Sequence, residues 1–388
     1  MASEHHNAEH TLLLDDQAGL ARFMARVAAA NVPRIAFDTE AASFHRYVDR
    51  IYLIQMSTEV ETVLIDPLTV TELDAVGDLL QNPEIEIVFH DADYDLRVLD
   101  RDYGFRVRTL FDTRVAAQLA GEDAVGLGAL LEKHLHVRLD KRFQRADWSQ
   151  RPLPPDMIAY AASDTRYLLR LRRVLAERLR ALSRLHWAEE EFGRLEGLRW
   201  TGSDNGNHEA FLRIKGAKGL SPRKLAVLEN LYAWRDNMAR DLDRAPFRVL
   251  GNAQMLAIAR AAPSTLTALS QIAGMSKGIV RRHGSPILAA VQQAMALAED
   301  ALPRTVRKRR PVLDPGYEIR LERLKQLRDA CAQQCDLHPG LLCPNGTLQA
   351  VARAAPSTPA DLATIAELRK WQRQVLGEFA ILEATHRA

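Results

Sequence analysis

The first 200 residues alternate between short apolar runs and longer amphipathic stretches. Apolar and β-branched residues concentrate in five runs, which the pattern predicts to be strands: residues 34–38, 50–57, 60–66, 85–90 and 107–112. Short connections join the first three runs, so we expect antiparallel pairing there. Helical stretches separate the last two, which favours parallel pairing. The sequence therefore predicts an α/β domain with a mixed five-stranded sheet.

From about Pro155 the pattern becomes helical almost to the end, and this half contains an internal repeat. The heptapeptide ARAAPST occurs twice, at 259–265 and 352–358, an offset of 93. Asn252 and Asn345 share this register. Two related all-α modules are therefore predicted. We divide the chain into an α/β domain, a first helical module, a basic linker and a second helical module: 1–205, 206–300, 301–314 and 315–388.

The charge is distributed unevenly, although the 388 residues carry a net charge of only +2. Residues 1–205 contain 25 Lys and Arg against 34 Asp and Glu, whereas 206–330 contain 22 against 11. Residues 331–388 contain five of each sign. This distribution suits a nucleic-acid enzyme whose acidic segment holds metal ions and whose basic segment attracts phosphates. Ordinary solvated surface explains the same distribution equally well.

Composition and short motifs argue against several classes of protein. No run approaches 18 apolar residues and the first ten residues are polar, so we expect neither a membrane span nor a secretory signal. Three cysteines cannot form a disulfide framework and indicate the cytoplasm. No P-loop motif is present, and the GLG at 126–128 lacks the context of a dinucleotide site, so no nucleotide cofactor is expected.

Acidic residues at strand ends and helix starts carry the candidate chemistry. Asp38 and Glu40 close the first predicted strand, where a period of two turns both carboxylates to one side. Asp95 falls in the first turn of the helix after the fourth strand. Tyr160 and Asp164 are one helical turn apart and share a face. Converging carboxylates without Lys or Arg partners need divalent cations to neutralise them, and oxygen ligands suit Mg²⁺ or Mn²⁺.

Two such ions about 3.5 to 4 Å apart activate a water and stabilise the leaving oxygen during phosphodiester hydrolysis. Each residue also has an ordinary structural interpretation. An Asp at a strand end is often a turn former, an Asp at a helix start is often an N-cap, and a Tyr/Asp pair on a helix is often exposed. Spacing alone leaves both interpretations open.

Eight motifs follow one another between about residues 34 and 175: IAFDTE, LIQMS, LIDPL, FHDADYDLRVL, LFDT, LDK, DWSQRPL and YAASDTRYLL. Together they closely resemble the DEDD exonucleases, specifically the ribonuclease D family. The resemblance implies a ribonuclease H-like fold and four acidic metal ligands, which carry over as Asp38, Glu40, Asp95 and Asp164. The last motif has a tyrosine, Tyr160, four residues before Asp164, and in this respect it resembles the tyrosine subclass of the family. The resemblance implies that Tyr160 orients the attacking water.

The fourth motif offers three candidate ligands, Asp91, Asp93 and Asp95. In the family this ligand is followed by Leu or Ile, and Leu96 follows Asp95, so the resemblance favours Asp95. We expect Asp91 to cap the helix instead.

Residues 217–297 resemble the HRDC module found in ribonuclease D and in some helicases, and the repeat suggests a second, more divergent copy. The implied role of the module is to hold RNA beside the catalytic domain. Because residues 331–388 of the divergent copy carry no net charge, we expect this copy mainly to complete the architecture. The missing P-loop argues against a helicase.

Three side hypotheses concern smaller groups of residues. The spacing of Cys331, Cys335, His338 and Cys343 is close to that of zinc ligands, but in the repeat register three of them replace apolar residues, which favours core positions. His90 is expected to be a hydrogen-bonded residue at a strand end rather than a substrate contact. Candidates for stacking on terminal bases are the side chains just past the first ligands: Phe44, His45 and Tyr47.

We therefore predict a metal-dependent 3′-5′ exoribonuclease that uses two Mg²⁺ or Mn²⁺ ions and releases nucleoside 5′-monophosphates. The resemblance further implies trimming of the 3′ extensions of tRNA precursors. We expect a cytoplasmic monomer that binds RNA, without a membrane or nucleotide cofactor. Two alternatives stay open: a DNA exonuclease of the same superfamily and a non-catalytic RNA-binding scaffold.

Overall fold

A mixed sheet forms the centre of the amino-terminal domain. The computed structural model describes residues 11–202, 210–303 and 315–386. Its strands are β1 (Thr11–Leu14), β2 (Arg34–Ala41), β3 (Ile51–Ser57), β4 (Thr62–Ile65), β5 (Glu86–Phe89) and β6 (Leu110–Asp112), ordered β1-β4-β3-β2-β5-β6 in space. β3 pairs antiparallel with β2 and β4, whereas β5 pairs parallel with β2 and β6. The predicted directions of pairing are confirmed.

The predicted count of five strands is wrong, because a sixth strand precedes them. β1 pairs parallel with β4 at the edge of the sheet. Its four residues are too few to establish a period of two, and both Leu12 and Leu13 are exposed. Pairing with β4, rather than a local pattern, makes this segment a strand.

Helices cover both faces of the sheet. Those of the amino-terminal domain are α1 (Gln17–Ala29), α2 (Asp74–Gln81), α3 (Asp93–Tyr103), α4 (Thr113–Leu119), α5 (Leu127–Leu135), α6 (Pro155–Arg166), α7 (Leu168–Ala181) and α8 (Leu185–Glu196). Pro155 occupies the first turn of α6, where its missing N–H costs nothing, so the predicted start of the helical half is confirmed. α6 packs across β2, β3 and β4. It thereby faces the strand that carries Asp38 and Glu40.

The apolar core lies on both faces of the sheet. The larger cluster includes Phe37, Ile54 and Phe89. A smaller cluster under α6 includes Leu53 and Tyr160. Because neighbouring residues of β3 point to opposite faces, this strand contributes to both clusters, with Ile54 in the larger and Leu53 in the smaller.

The carboxyl-terminal half is helical and consists of two similar modules. The helices of the first are α9 (Pro222–Asp241), α10 (Pro246–Val249), α11 (Asn252–Ala261), α12 (Leu266–Ser270) and α13 (Lys277–Met295). Those of the second are α14 (Tyr317–Gln334), α15 (Pro339–Leu342), α16 (Asn345–Ala354), α17 (Pro359–Ala363), α18 (Lys370–Leu376) and α19 (Glu378–Thr385). Short 3₁₀ turns occur at Ala210–Arg213, Ala217–Gly219 and Glu299–Ala301.

The sequence repeat is also a structural repeat. Arg235 on α9 donates to Asn252 Oδ1 at 2.6 Å, and Arg328 on α14 donates to Asn345 Oδ1 at 2.7 Å, with the same offset of 93 in both partners. Both arginines are buried. Each buried guanidinium therefore joins the long first helix of its module to the start of the helix that ends in the ARAAPST segment.

The two modules contact the amino-terminal domain differently. The first has an apolar core of its own. The second shares the core of the α/β domain, where Trp371 stacks on Trp187 of α8 with 5.0 Å between ring centroids. Glu190 of α8 accepts hydrogen bonds from the backbone N–H groups of Lys370 and Trp371 at the start of α18. The second module is therefore an integral part of the main body.

The predicted linker lies largely outside the described residues, as do its five basic residues: Arg304, Arg307, Lys308, Arg309 and Arg310. The boundary near residue 205 lies outside them too, so the division of the chain into domains stays a prediction. None of the described helices is both long and apolar enough to span a membrane.

Candidate active site

Three of the four predicted ligands meet in one place. Asp38 and Glu40 lie on the same face of β2, and Asp164 projects from α6, which covers that face. One carboxylate oxygen of each residue lies within 4.8 Å of the other two. Among the described residues, this is the single group of three or more His, Cys, Asp or Glu side chains that close together.

Asp95 lies beside this cluster, at the start of α3. Its Oδ1 accepts a hydrogen bond of 2.6 Å from Thr39 Oγ1. Thr39 stands between Asp38 and Glu40 on β2, with its side chain on the opposite face of the strand. The hydroxyl therefore connects α3 to the strand that carries the first two acids. Proximity is also evident electrostatically, because the charge of Asp95 helps to raise the pKa of Asp38.

The predicted helix cap at Asp91 is wrong. Asp91 has a left-handed backbone (φ 69°), and its carboxylate forms an ion pair with Arg114 at 2.9 Å. α3 has no side-chain cap of its own. Asp112, at the end of β6, instead accepts hydrogen bonds from the backbone N–H groups of Asp91 and Ala92. A residue distant in the sequence therefore fixes the loop that leads to Asp95.

Burial gives the acidic side chains an unusual affinity for protons. It raises the pKa of Asp95 and of Asp164 to about 7. The pKa of Asp38 and that of Glu40 are also raised, first by burial and then by the neighbouring carboxylates. No described Lys or Arg forms an ion pair with any of the four. Crowded, partly buried oxygen donors without cationic partners suit hard divalent cations such as Mg²⁺.

Tyr160 lies at the same site, one helical turn before Asp164. Both residues line a cavity of about 360 Å³ together with Asp38. The Tyr160 ring packs against Trp148 and Phe143, with centroid distances of 6.0 and 5.8 Å. Burial, followed by the charges of the nearby acids, raises the pKa of its phenol, so Tyr160 keeps its proton at neutral pH.

Sequence reasoning missed several residues that line this cavity. Gly126, Leu127 and Gly128 contribute to the wall, as do Lys141 and Gln144. The GLG segment lacks the context of a nucleotide-binding motif, and in the structure it begins α5 at the edge of the cavity. The LDK motif, which contains Lys141, was the one available signal.

His90 behaves as expected of a strand-end histidine. Its Nδ1 lies 2.9 Å from Thr113 Oγ1. Burial, and then the charge of Arg114, lowers the pKa of His90 to about 4. The imidazole is therefore neutral near pH 7, although it also lines the cavity.

The aromatic residues after the first ligands contact the first helical module. The Phe44 ring meets Phe247 edge to face at 6.1 Å between centroids. Tyr47 donates from its hydroxyl to Asp236 Oδ2 at 2.9 Å. His45 accepts a backbone hydrogen bond from Ala245. These three residues therefore hold the α9–α10 region against the β2–β3 loop, an interdomain role that the stacking hypothesis does not include.

The zinc hypothesis gains no support from the described residues, which place no three of its four candidate ligands within 4.8 Å of one another. Cys343 is buried in the apolar core, and Cys331 and Cys335 pack against it. The His338 ring accepts a hydrogen bond from the backbone of Gly340 at the start of α15. At the offset of 93, the three cysteines take the positions of apolar residues of the first module: Met238, Leu242 and Leu250.

Comparison with protein families gives matches along most of the chain. A family model described as 3′-5′ exonuclease matches residues 13–180. A model of the HRDC domain matches twice, at residues 224–291 and 318–384. The predicted exonuclease domain followed by two helical HRDC modules is thereby confirmed.

Relatives that match most of the chain are ribonucleases D. Ribonuclease D of Gluconacetobacter diazotrophicus is 33% identical over 354 residues, which cover 90% of this chain and 87% of that protein. Ribonuclease D of Escherichia coli K12 is 32% identical over 300 residues, with coverage of 76% and 78%.

Two solved structures share the fold. The crystal structure of Escherichia coli RNase D, described as an exoribonuclease involved in structured RNA processing, has a TM-score of 0.69 at 28% identity and covers 95% of this chain and 96% of that chain. The catalytic core of RRP6 from Trypanosoma brucei has a TM-score of 0.63 at 29% identity, with coverage of 74% and 80%.

Proposed function

The chain belongs to the ribonuclease D family and is a 3′-5′ exoribonuclease, and from this premise we propose that its active site binds two divalent cations, Mg²⁺ or Mn²⁺, through four carboxylates: Asp38, Glu40, Asp95 and Asp164. The exonuclease superfamily depends on divalent metal ions. The observation that carries the proposal is the convergence of three partly buried carboxylates without cationic partners, two of which, Asp38 and Asp164, line the cavity.

Each residue has a defined task in this proposal. Asp38, Glu40 and Asp164 supply oxygen ligands from β2 and α6. Asp95 supplies another from α3, with its second oxygen held by Thr39. When bound, the cations neutralise charge on the phosphodiester and favour ionisation of the attacking water.

Tyr160 orients the water. Its protonated phenol faces the cavity beside Asp164, so it offers a hydrogen bond and not a base. Attack at phosphorus breaks the bond to the 3′-oxygen of the preceding nucleotide. The products are a nucleoside 5′-monophosphate and an RNA shortened by one residue with a free 3′-hydroxyl.

We propose tRNA precursors with 3′ extensions as substrates, processed in the cytoplasm by a monomer. The support for the RNA substrate is the description of the similar Escherichia coli RNase D as an exoribonuclease of structured RNA processing, together with the basic character of the first HRDC module. The three free cysteines suit a reducing compartment. In this proposal the first HRDC module holds RNA and the second completes the architecture.

A time course with a 5′-labelled, 3′-extended tRNA precursor tests the substrate and the metal requirement together. We expect a ladder that shortens from the 3′ end in Mg²⁺ or Mn²⁺ and full-length RNA in EDTA. Degradation in EDTA would contradict the proposed metal chemistry. Faster degradation of a DNA oligomer than of an RNA oligomer of the same sequence would identify DNA as the preferred substrate.

A further inference from the structure

A fully buried glutamine next to the active site has no hydrogen-bond partner. Gln55 on β3 has no solvent-exposed surface, and neither its Nε2 nor its Oε1 is hydrogen bonded. Among the described side chains with such orphaned atoms, Gln55 is the one with two of them. An amide buried in this way destabilises the fold, so its presence calls for a physical reason.

The register of the sheet places Gln55 beside Asp38. The two residues are Cα partners in the antiparallel pair of β2 and β3. Side chains at such positions share one face, with Cβ atoms about 4.5–5.5 Å apart. Two residues further along the same face, Ser57 Oγ lies 2.7 Å from Thr165 Oγ1, the neighbour of Asp164 on α6. Gln55 is therefore enclosed between the strand of Asp38 and the helix of Asp164.

Asp38 has acceptor sites to spare. An ionised carboxylate accepts about four hydrogen bonds or cation contacts. No ion pair fixes the orientation of this carboxylate. Gln55 does not line the active-site cavity, so it has no access to substrate. Its free N–H groups therefore lie on the face of the sheet that carries Asp38 and outside the cavity.

We propose that Gln55 is a positioning residue for Asp38: when a divalent cation is bound, the free amide of Gln55 supplies a hydrogen bond that holds the Asp38 carboxylate in its metal-binding orientation. The inference rests on the proposed metal-binding role of Asp38. Hydrogen bonds to metal-ligating carboxylates commonly change metal affinity by about 10- to 100-fold. The energetic cost of the orphaned amide in the protein without metal is then offset by tighter metal binding.

Metal affinity separates this role from a merely structural one. Gln55→Met keeps the length of the side chain and removes both polar atoms, so a structural glutamine would leave Mn²⁺ binding unchanged. We expect Q55M to weaken Mn²⁺ binding by about 10- to 100-fold in isothermal titration calorimetry of the full-length protein. We also expect its thermal midpoint in EDTA to equal or exceed that of the wild type, because no orphaned amide remains.

Two further variants make the outcome decisive. Met56→Leu changes the next residue of β3, which faces the opposite side of the sheet, and should bind Mn²⁺ like the wild type. Asp38→Asn should lose most of the binding. If D38N binds Mn²⁺ with the affinity of the wild type, the proposed ligand role of Asp38 fails. If D38N loses binding and Q55M retains it, the role of Gln55 is overturned. Should Q55M not fold by circular dichroism, Gln55→Leu is judged by the same criteria.

Discussion

At the scale of single residues, charge and burial decide the chemistry. Asp38, Glu40 and Asp164 carry like charges at short distance, and burial removes the water that would screen them. In the protein without metal this repulsion is relieved by proton uptake, as the raised pKa values indicate. A divalent cation relieves it better, because it attracts all three carboxylates at once.

Loss of one carboxylate should therefore abolish catalysis. We expect Asp38→Asn and Asp164→Asn each to lower kcat/KM on RNA by about a thousandfold or more, since each removes a charged ligand. Gel-based single-turnover assays measure this directly. Asp156→Asn serves as a matched control because Asp156 is exposed in the first turn of the same helix. Degradation by purified D38N or D164N at the wild-type rate would contradict the assigned chemistry.

The phenol of Tyr160 should matter for rate and not for metal binding. Tyr160→Phe retains the ring that packs on Trp148 and Phe143 and removes the hydroxyl that faces the cavity. We expect kcat to fall by about 10- to 100-fold with Mn²⁺ affinity unchanged. Tyr167→Phe, at the end of the same helix, should retain wild-type activity. Weaker metal binding in Y160F would show that Tyr160 acts through the metal site instead.

At the scale of elements, three segments converge on the site and each is held differently. β2 is fixed by its ladders to β3 and β5. α6 is held by its apolar face over β3 and by the contact between Ser57 and Thr165. α3 depends on Asp112, which accepts from backbone N–H groups at the starts of both α3 and α4. The placement of Asp95 thus rests on a polar residue at the end of another strand.

This arrangement predicts opposite outcomes for two aspartates. Asp112→Ala leaves four backbone N–H groups without their acceptor in a buried loop, so we expect it to lower the free energy of unfolding by about 2 kcal/mol or more. Asp91→Ala removes a half-exposed ion pair with Arg114 and should cost about 0–1 kcal/mol. Urea denaturation compares the two. A larger loss in D91A would restore Asp91 as the residue that holds the start of α3.

At the scale of the whole molecule, the two HRDC modules have diverged in how they are attached. The second is joined through the shared core and the Trp187–Trp371 stack. The first meets the β2–β3 loop through the Phe44–Phe247 ring contact and through polar contacts, including an ion pair of 3.1 Å between Arg46 and Asp243. A cavity of about 640 Å³ lies at this contact between the loop and the first module. Its lining includes both residues of the ion pair as well as His45 and Arg244. The module with the basic charge is therefore the one next to the strand that carries Asp38.

The proposed division of labour between the modules is testable with two arginines. We expect Arg244→Ala to weaken RNA binding and to reduce the slope of log affinity against log salt by about one, as loss of one phosphate contact does. Arg353 is an exposed arginine of the second module. We expect Arg353→Ala to leave both the RNA affinity and its salt dependence unchanged. Fluorescence anisotropy in EDTA at several salt concentrations measures binding without cleavage. Equal effects of the two variants would contradict the proposal.

Local periodicity and the family resemblance together predicted much of the site. A strand period of two placed Asp38 and Glu40 on one face, a helical period placed Tyr160 beside Asp164, and the offset of 93 predicted two equivalent modules. These features were accessible because each depends on residues close in sequence or on a repeated pattern. The choice of Asp95 over Asp91 and Asp93 depended on the resemblance and stays a prediction.

The sequence by itself determined which residues share a face within each element, because side-chain direction follows from backbone geometry that neighbouring residues share. Only the tertiary structure decided which faces meet. It paired Thr11–Leu14 with β4, gave Asp112 the task expected of Asp91, and set Gln55 opposite Asp38. Contacts of this kind join segments far apart in the chain, and packing and strand register, which local periodicity does not encode, select them.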